Sequence, residues 1–172
     1  MKHLIVGPAG HGVTEYALGL ARATGAEVIR EETFGDTPLA GPVHVTFTDH
    51  LFGDTAERLL ARIDGPLSVS LHDIPQPEEG AERYARRARV YRELVERADA
   101  AVVNSDHEAS FFDAATTVIR LPIPVIDSPF NPEPGSVGVL GFLYPGKGHE
   151  DLIAALPDRR LRFLGAVSHG HE

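Results

Sequence analysis

Gly141–Leu156 reads GFLYPGKGHEDLIAAL. The apolar run before it, Val137–Leu140, ends in Gly141. A loop then sets Lys147 between Gly146 and Gly148. An apolar helix follows, and a second apolar run, Leu161–Leu164, ends in Gly165. Strand, glycine loop, helix and strand make the unit from which parallel sheets are wound. Lys147 is one of two lysines, the other being Lys2, among 16 basic residues. Its setting suits an anion. Glycines let the backbone approach a ligand closely, a helix start offers free N–H groups and a positive dipole end, and lysine adds a compact, mobile charge. The same residues also describe a surface lysine in a plain strand-to-helix turn.

Upstream the same alternation repeats. Apolar runs at His3–Gly7, Ala26–Arg30, Val43–Thr48, Leu67–Leu71, Ala100–Val103 and Thr117–Leu121 read as six buried strands. Helices are expected over Thr14–Arg22, from a start capped by Asp54 through Ala56, Leu59, Leu60 and Ile63, over about Glu78–Ala98, and briefly from Asp106. The expected fold class is α/β: a doubly wound, Rossmann-like parallel sheet with an appended strand–helix–strand unit. The stretch 122–136, PIPVIDSPFNPEPGS, interrupts the alternation and reads as an extended connector. We therefore divide the chain into a lobe over 1–124, a Pro-rich linker over 125–136, and the incomplete start of a second lobe over 137–172. The last is too small to bury its own core, so self-association through residues 137–172 is expected.

Composition narrows the function. The net charge of −9 argues against nucleic acid as a partner, because phosphate neutralisation needs excess Lys and Arg. With no cysteine there is neither a disulfide nor a thiolate metal site. No apolar run approaches 18 residues, and a cytoplasmic location is expected. Abundant Ala, Gly, Pro and Arg with almost no Lys fits a bacterium with a GC-rich genome.

Ligands of open parallel sheets bind outside the carboxyl ends of the strands. Four such ends carry chemistry here. Gly7–Thr14, GPAGHGVT, has the spacing of a P-loop with Val13 in the lysine position, so the main phosphate cation is absent. A plain tight turn is the other reading. The second end is His72-Asp73-Ile74-Pro75. The third, Asn104-Ser105-Asp106-His107-Glu108, is equally a helix cap. The fourth is Thr48-Asp49-His50, a candidate acceptor contact. His11, His50, His72 and His107, with Asp49, Asp73 and Asp106, are ordinary metal-ligand types. No pair has helical zinc spacing, and no metal is expected. His169–Glu172 reads as a frayed end. The helix over 78–98 carries Arg83, Arg86, Arg87, Arg89, Arg92 and Arg97 opposite Ala81, Tyr84, Ala85, Ala88, Tyr91, Val95 and Ala98. It reads as a solvated face with Glu79–Arg83, Glu82–Arg86 and Glu93–Arg97 pairs. The alternative is a weak contact for anionic lipid or a phosphorylated acceptor.

These segments together resemble family 4 retaining glycosyltransferases, which have two facing Rossmann-like lobes (the GT-B fold). The family opens its second lobe with a strand ending G-R-x-x-x-x-K-G, a helix reading D-L-I-x-A-L and a strand ending in Gly. Gly141, Lys147-Gly148, Asp151–Leu156 and Leu161–Gly165 fall in register with it. The arginine position holds Phe142. The Gly7 loop resembles the family's first loop, His72–Pro75 its H-x-x-P segment, and Val103–Glu108 its V-x-S-x-x-E. The resemblance implies sugar transfer from a nucleotide diphosphate donor with retention and no cofactor. It makes Lys147 and His72 the catalytic candidates. Gly10, His11, Gly12, Lys147 and Gly148 become phosphate contacts, and Asp49, His50, Asp73, Ser105 and Glu108 weaker sugar or acceptor contacts. The family's glutamate pair, E-x-x-x-x-x-x-x-E, lies beyond Glu172, so this chain alone is expected to lack half of the donor site. The rival readings are a dimeric, non-catalytic Rossmann-like module and a degenerate P-loop nucleotide-binding protein.

Overall fold

The computed structural model describes residues 1–53, 56–122, 127, 129 and 131–167. The chain divides into two compact units, Met1–Ile123 and Pro124–Glu172. The first contains β1 (Lys2–Val6), α1 (Gly12–Thr24), β2 (Glu27–Glu31), β3 (Leu39–Ala40), β4 (Val43–Phe47), α2 (Asp49–Phe52), α3 (Ala56–Arg62), β5 (Ile63–Asp64), β6 (Leu67–Leu71), α4 (Ala81–Arg97), β7 (Ala100–Val103), α5 (Asp106–Ala109) and β8 (Thr117–Val118). Six of the strands form one sheet in the order β2-β1-β4-β6-β7-β8. Every pairing in it is parallel. The fold is the doubly wound α/β sheet expected, with its six strands at the six apolar runs. The tiny parallel ladder β3–β5 was not foreseen, being only two residues long. The proposed Asp54 cap lies outside the described residues, as do the 169–172 end and most of 123–130.

Topology decides where the helices go. The step from β1 to β2 moves one way along the sheet, and the steps from β4 to β6 to β7 move the other way. Right-handed crossovers then put α1 on one face and α3 and α4 on the opposite one. The two faces differ in composition because side chains alternate along each strand. Toward α3 and α4 point Leu4, Val6, Val43, Val45, Phe47, Leu67, Val69, Leu71 and Val103, which join Leu59, Tyr91 and Leu94 in the main core. Toward α1 the strands supply Ile5, packed on Ala17 and Ala21, and buried His3, His44, Thr46 and Ser70.

Two details of α4 correct the sequence reading. A separate 3-10 turn at Pro77–Glu79 precedes the helix, and Gly80 divides them. The buried stripe is Arg87, Ala88, Val90, Tyr91, Leu94 and Val95, while Ala81 and Ala85 are exposed. Arg87 therefore does not belong to the solvated face.

In the second unit, β9 (Ser136–Leu140) pairs in parallel with β10 (Arg160–Leu164), and α6 (His149–Ala155) connects them. The glycines that close both strands have a steric reason. A Cβ at Gly165 would lie 2.0 Å from the Gly141 carbonyl oxygen, and Gly141 itself sits at φ 135°. The chains approach there as only glycine allows. No described residue of this unit is buried. Leu140 is 85% exposed, and Phe142, Ile153 and Leu164 are each more than half exposed.

Candidate functional site

In the first unit the order of strands reverses direction between β1 and β4, the place where open α/β sheets bind ligands. The Gly7–Gly12 loop leaves β1 there, and Thr48–His50 leaves β4. Gly7 has φ 118°, and a Cβ on it would meet Thr14 Oγ1 at 2.8 Å and Leu51 Cδ1 at 2.9 Å. The turn must therefore be glycine. The His11 and His50 rings stack across this gap with centroids 6.3 Å apart. Burial, and next the nearby His50, lower the His11 pKa, and His11 Nδ1 has no partner among the described residues.

Two loop contacts limit what the glycines can do. The Gly10 amide donates to Glu15 Oε1 at 3.1 Å, so an internal carboxylate holds the position a phosphate oxygen would take. Thr14 Oγ1 donates to the Val6 carbonyl at 3.3 Å. In a P-loop that hydroxyl faces the metal. Here it is turned back into the sheet, which adds to the missing lysine against a P-loop role.

His72 closes β6. The residue is 8% exposed, and its ring packs edge-on to Tyr16, with centroids 4.6 Å apart. Burial drives its pKa down to about 4, against the opposing charge of Asp73. The ring is therefore neutral at pH 7, with Nε2 unpartnered among the described residues. The backbone of His72 is fixed from both sides: its amide donates to the Phe47 carbonyl at 2.9 Å, and its carbonyl accepts from the Tyr91 hydroxyl at 2.7 Å.

Arg87 organises the rest of the rim. Its side chain is 4% exposed. Nε donates to Asp49 Oδ2 at 2.7 Å and Nη2 to Asp49 Oδ1 at 2.9 Å, a bidentate fork. Nη2 also donates to the Asp73 carbonyl at 2.7 Å and to Asp73 Oδ2 at 2.9 Å, and Nη1 donates to Glu79 Oε1. Asp73 is the one non-glycine residue with positive φ, 56°, among the described residues. The double contact from Arg87 holds that uncommon conformation. Burial raises the Asp49 pKa, but the Arg87 hydrogen bonds and charge outweigh it, and the carboxyl titrates below its ordinary range. The carboxylates in turn raise the Arg87 pKa, through the Asp49 hydrogen bonds first. Burial raises the pKa of Tyr91, and the Asp49 charge raises it further. An open cleft of about 520 Å3 runs over this cluster, lined by Asp49, His50, Asp73, Arg83, Arg86 and Arg87.

Of the sequence candidates, the rim of the first unit gathers Gly10, His11, Gly12, Asp49, His50, His72 and Asp73. Ser105 and Glu108 are engaged in a cap: Ser105 Oγ accepts from the Glu108 amide at 3.2 Å, and Glu108 Oε2 accepts from the Asn104 amide. Lys147 and Gly148 belong to the second unit. There Lys147 is exposed, with Nζ 5.4 Å from the centre of the Tyr144 ring. Gly148 is the N-cap of α6 in the left-handed conformation, φ 81°. Sequence reasoning missed Arg87, Tyr91 and Tyr16 as rim residues. Arg87, Tyr91 and Leu94 are spaced i, i+4, i+7, so a stripe drawn through the arginine instead of around it would have found the first.

The arginines of α4 differ in setting. Arg83 Nε lies 3.2 Å from Glu79 Oε2, Arg87 is internal, and the Arg92 guanidinium lies 4.8 Å above the Phe111 ring. Among the described residues no helix is long and apolar enough to cross a membrane, and no three His, Cys, Asp or Glu side chains are grouped to hold a metal ion. Comparisons with protein-family models, with curated proteins and with solved structures yield no match to this chain.

Proposed function

We propose that this chain is a glycosyltransferase-like protein that handles a nucleotide-diphosphate sugar, with the first unit's rim as its sugar-facing surface. The observation that carries the reading is His72. A neutral imidazole whose buried Nε2 has no partner among the described residues ends a central strand beside a glycine-rich turn, and a sugar hydroxyl that reached it would satisfy it without a change of charge. Asp49, His50 and Asp73 supply further polar groups along the same strand ends. In the second unit Lys147 is the proposed diphosphate contact, an exposed cation next to a left-handed glycine. Phe142 stands where the family resembled has its second cation, so affinity is expected to be weak.

The experiment is calorimetry with UDP, GDP and ADP, using wild type, His72→Ala, Lys147→Ala and Glu15→Gln. A charge-assisted contact is worth roughly 1.5–3 kcal/mol, so Lys147→Ala should weaken a diphosphate more than tenfold. Glu15→Gln should tighten it, because the Gly10 amide loses a charged competitor. His72→Ala should leave the diphosphates unchanged and weaken the corresponding nucleotide sugars. Equal affinity in wild type and Lys147→Ala removes the diphosphate role. No binding of any nucleotide removes the transferase reading.

A second reading has its own support, the wet apolar surface of the second unit. On that reading the chain is a non-catalytic interaction module that self-associates through residues 137–172. Sedimentation equilibrium of wild type and Leu140→Asp tests it. A monomer at high concentration in both proteins rejects it.

A further inference from the structure

The α1 face of the first unit carries a second recess, of about 150 Å3, separate from the rim cleft. Leu20, Val102 and Ile119 form its apolar walls, and His44, Ser70 and Tyr16 contribute its polar lining. We propose that this recess binds a small hydroxylated ligand with an apolar body about the size of phenol.

Three observations carry the proposal. The first is size and wall chemistry: a cavity near this volume with apolar walls accommodates a single six-membered ring. The second is the hydrogen-bonding row beneath it. His44 Nδ1 meets Ser68 Oγ at 2.8 Å and His44 Nε2 meets Ser70 Oγ at 3.1 Å, and Ser70 also interacts with the Tyr16 phenol. A neutral imidazole has one donor and one acceptor, so the row can run in either direction. At its Tyr16 end it offers a lone pair in one direction and an O–H in the other. A hydroxyl, which both donates and accepts, matches either state. The third is the state of the imidazoles. Burial, and for His3 also the neighbouring His44, take both imidazoles down to a pKa of about 4. Both rings are therefore neutral at pH 7.5 and act in the recess as hydrogen-bonding groups rather than as counter-charges.

The contrast between the sheet faces argues in the same direction. On β4 and β6 the side chains facing α3 and α4 are all apolar, Val43, Val45, Phe47, Leu67, Val69 and Leu71. Those on the α1 side are His44, Thr46, Ser68 and Ser70. A face meant only for dry packing has no use for a connected row of hydroxyls and imidazoles.

The test is ligand-observed NMR titration at pH 7.5 with phenol and benzene on the whole chain. Phenol should saturate in the millimolar range, with benzene at least fivefold weaker. Val102→Phe fills the recess and should abolish phenol binding. Ile119→Trp does the same from a half-exposed position that folding tolerates, so a misfolded Val102→Phe leaves the test intact. Ser70→Ala should weaken phenol and leave benzene unchanged. Equal affinity for phenol and benzene, or phenol binding that survives Ile119→Trp, overturns the proposal. Tyr16 also packs on His72, so nucleotide titration of Ile119→Trp, with affinity expected unchanged, keeps this result distinct from the transferase reading.

Discussion

The same strands present two chemically different faces. Toward α3 and α4 the sheet is apolar, and aromatic rings interlock there: Phe47 lies 5.0 Å from Phe52 and 5.3 Å from Tyr91, centroid to centroid. Toward α1, imidazoles and hydroxyls bond one another in a row, and His3 meets His44 ring to ring at 4.7 Å. The first arrangement gains stability from area removed from water. The second gains little net free energy per hydrogen bond and loses much if a bond is broken or a ring is charged. The strands thus bury apolar side chains on one face and a row of imidazoles and hydroxyls on the other.

The largest effect should come from the apolar side. Phe47→Ala deletes a fully buried ring and should cost about 3–5 kcal/mol in urea unfolding. A cost below about 1 kcal/mol would erase the distinction between the faces. Arg87 is the polar exception on the α4 side, and Arg87→Met tests it. Asp49 would be left buried without its fork, and the loss should be about 3 kcal/mol. Arg87→Lys should recover only part of it, because a point charge cannot reproduce the bidentate geometry.

A pH series sharpens the contrast further. His3, His44 and His72 titrate near 4 in the fold and near 6.5 unfolded. The unfolded chain therefore binds more protons between those values. Stability should be full above pH 6.5 and fall as the pH drops toward 4. His44→Gln keeps hydrogen-bonding groups and removes one titration, so it should recover on the order of 2 kcal/mol of the acid loss. An unchanged pH slope would show that His44 is not held neutral. The smallest effect expected is that of Ser68→Ala, which removes one partly buried partner of His44 and should cost about 1 kcal/mol by thermal unfolding.

The fold was legible because it rests on short-range patterns. Six apolar runs bounded by glycine and polar residues dictate six strands, and strict alternation with helices dictates parallel pairing. The site was legible only in part. Strand-end residues such as His72 and Asp73 follow from the rule that ligands gather there. Arg87 could not be placed from composition, because an arginine among five others on a helix reads as solvated until its partners are known. Those partners, Asp49, Asp73 and Glu79, lie 38, 14 and 8 residues away. The engagement of Gly10 by Glu15 was hidden for a different reason: whether a side chain five residues on reaches back depends on the turn geometry, which the spacing of glycines leaves open.

The strand order also has a consequence for how the chain reaches this state. β6, β7 and β8 each join the strand laid down just before them in the sheet. β4 instead returns to β1, pairing Lys2 with Val43 and Leu4 with Val45, after β2 has taken the other edge of β1. That is the longest loop the sheet must close, and long-range closure is the entropically costly step of folding. Val45→Ala should therefore slow refolding in stopped-flow measurements, whereas Val103→Ala, on a strand added later along a ready edge, should mainly speed unfolding.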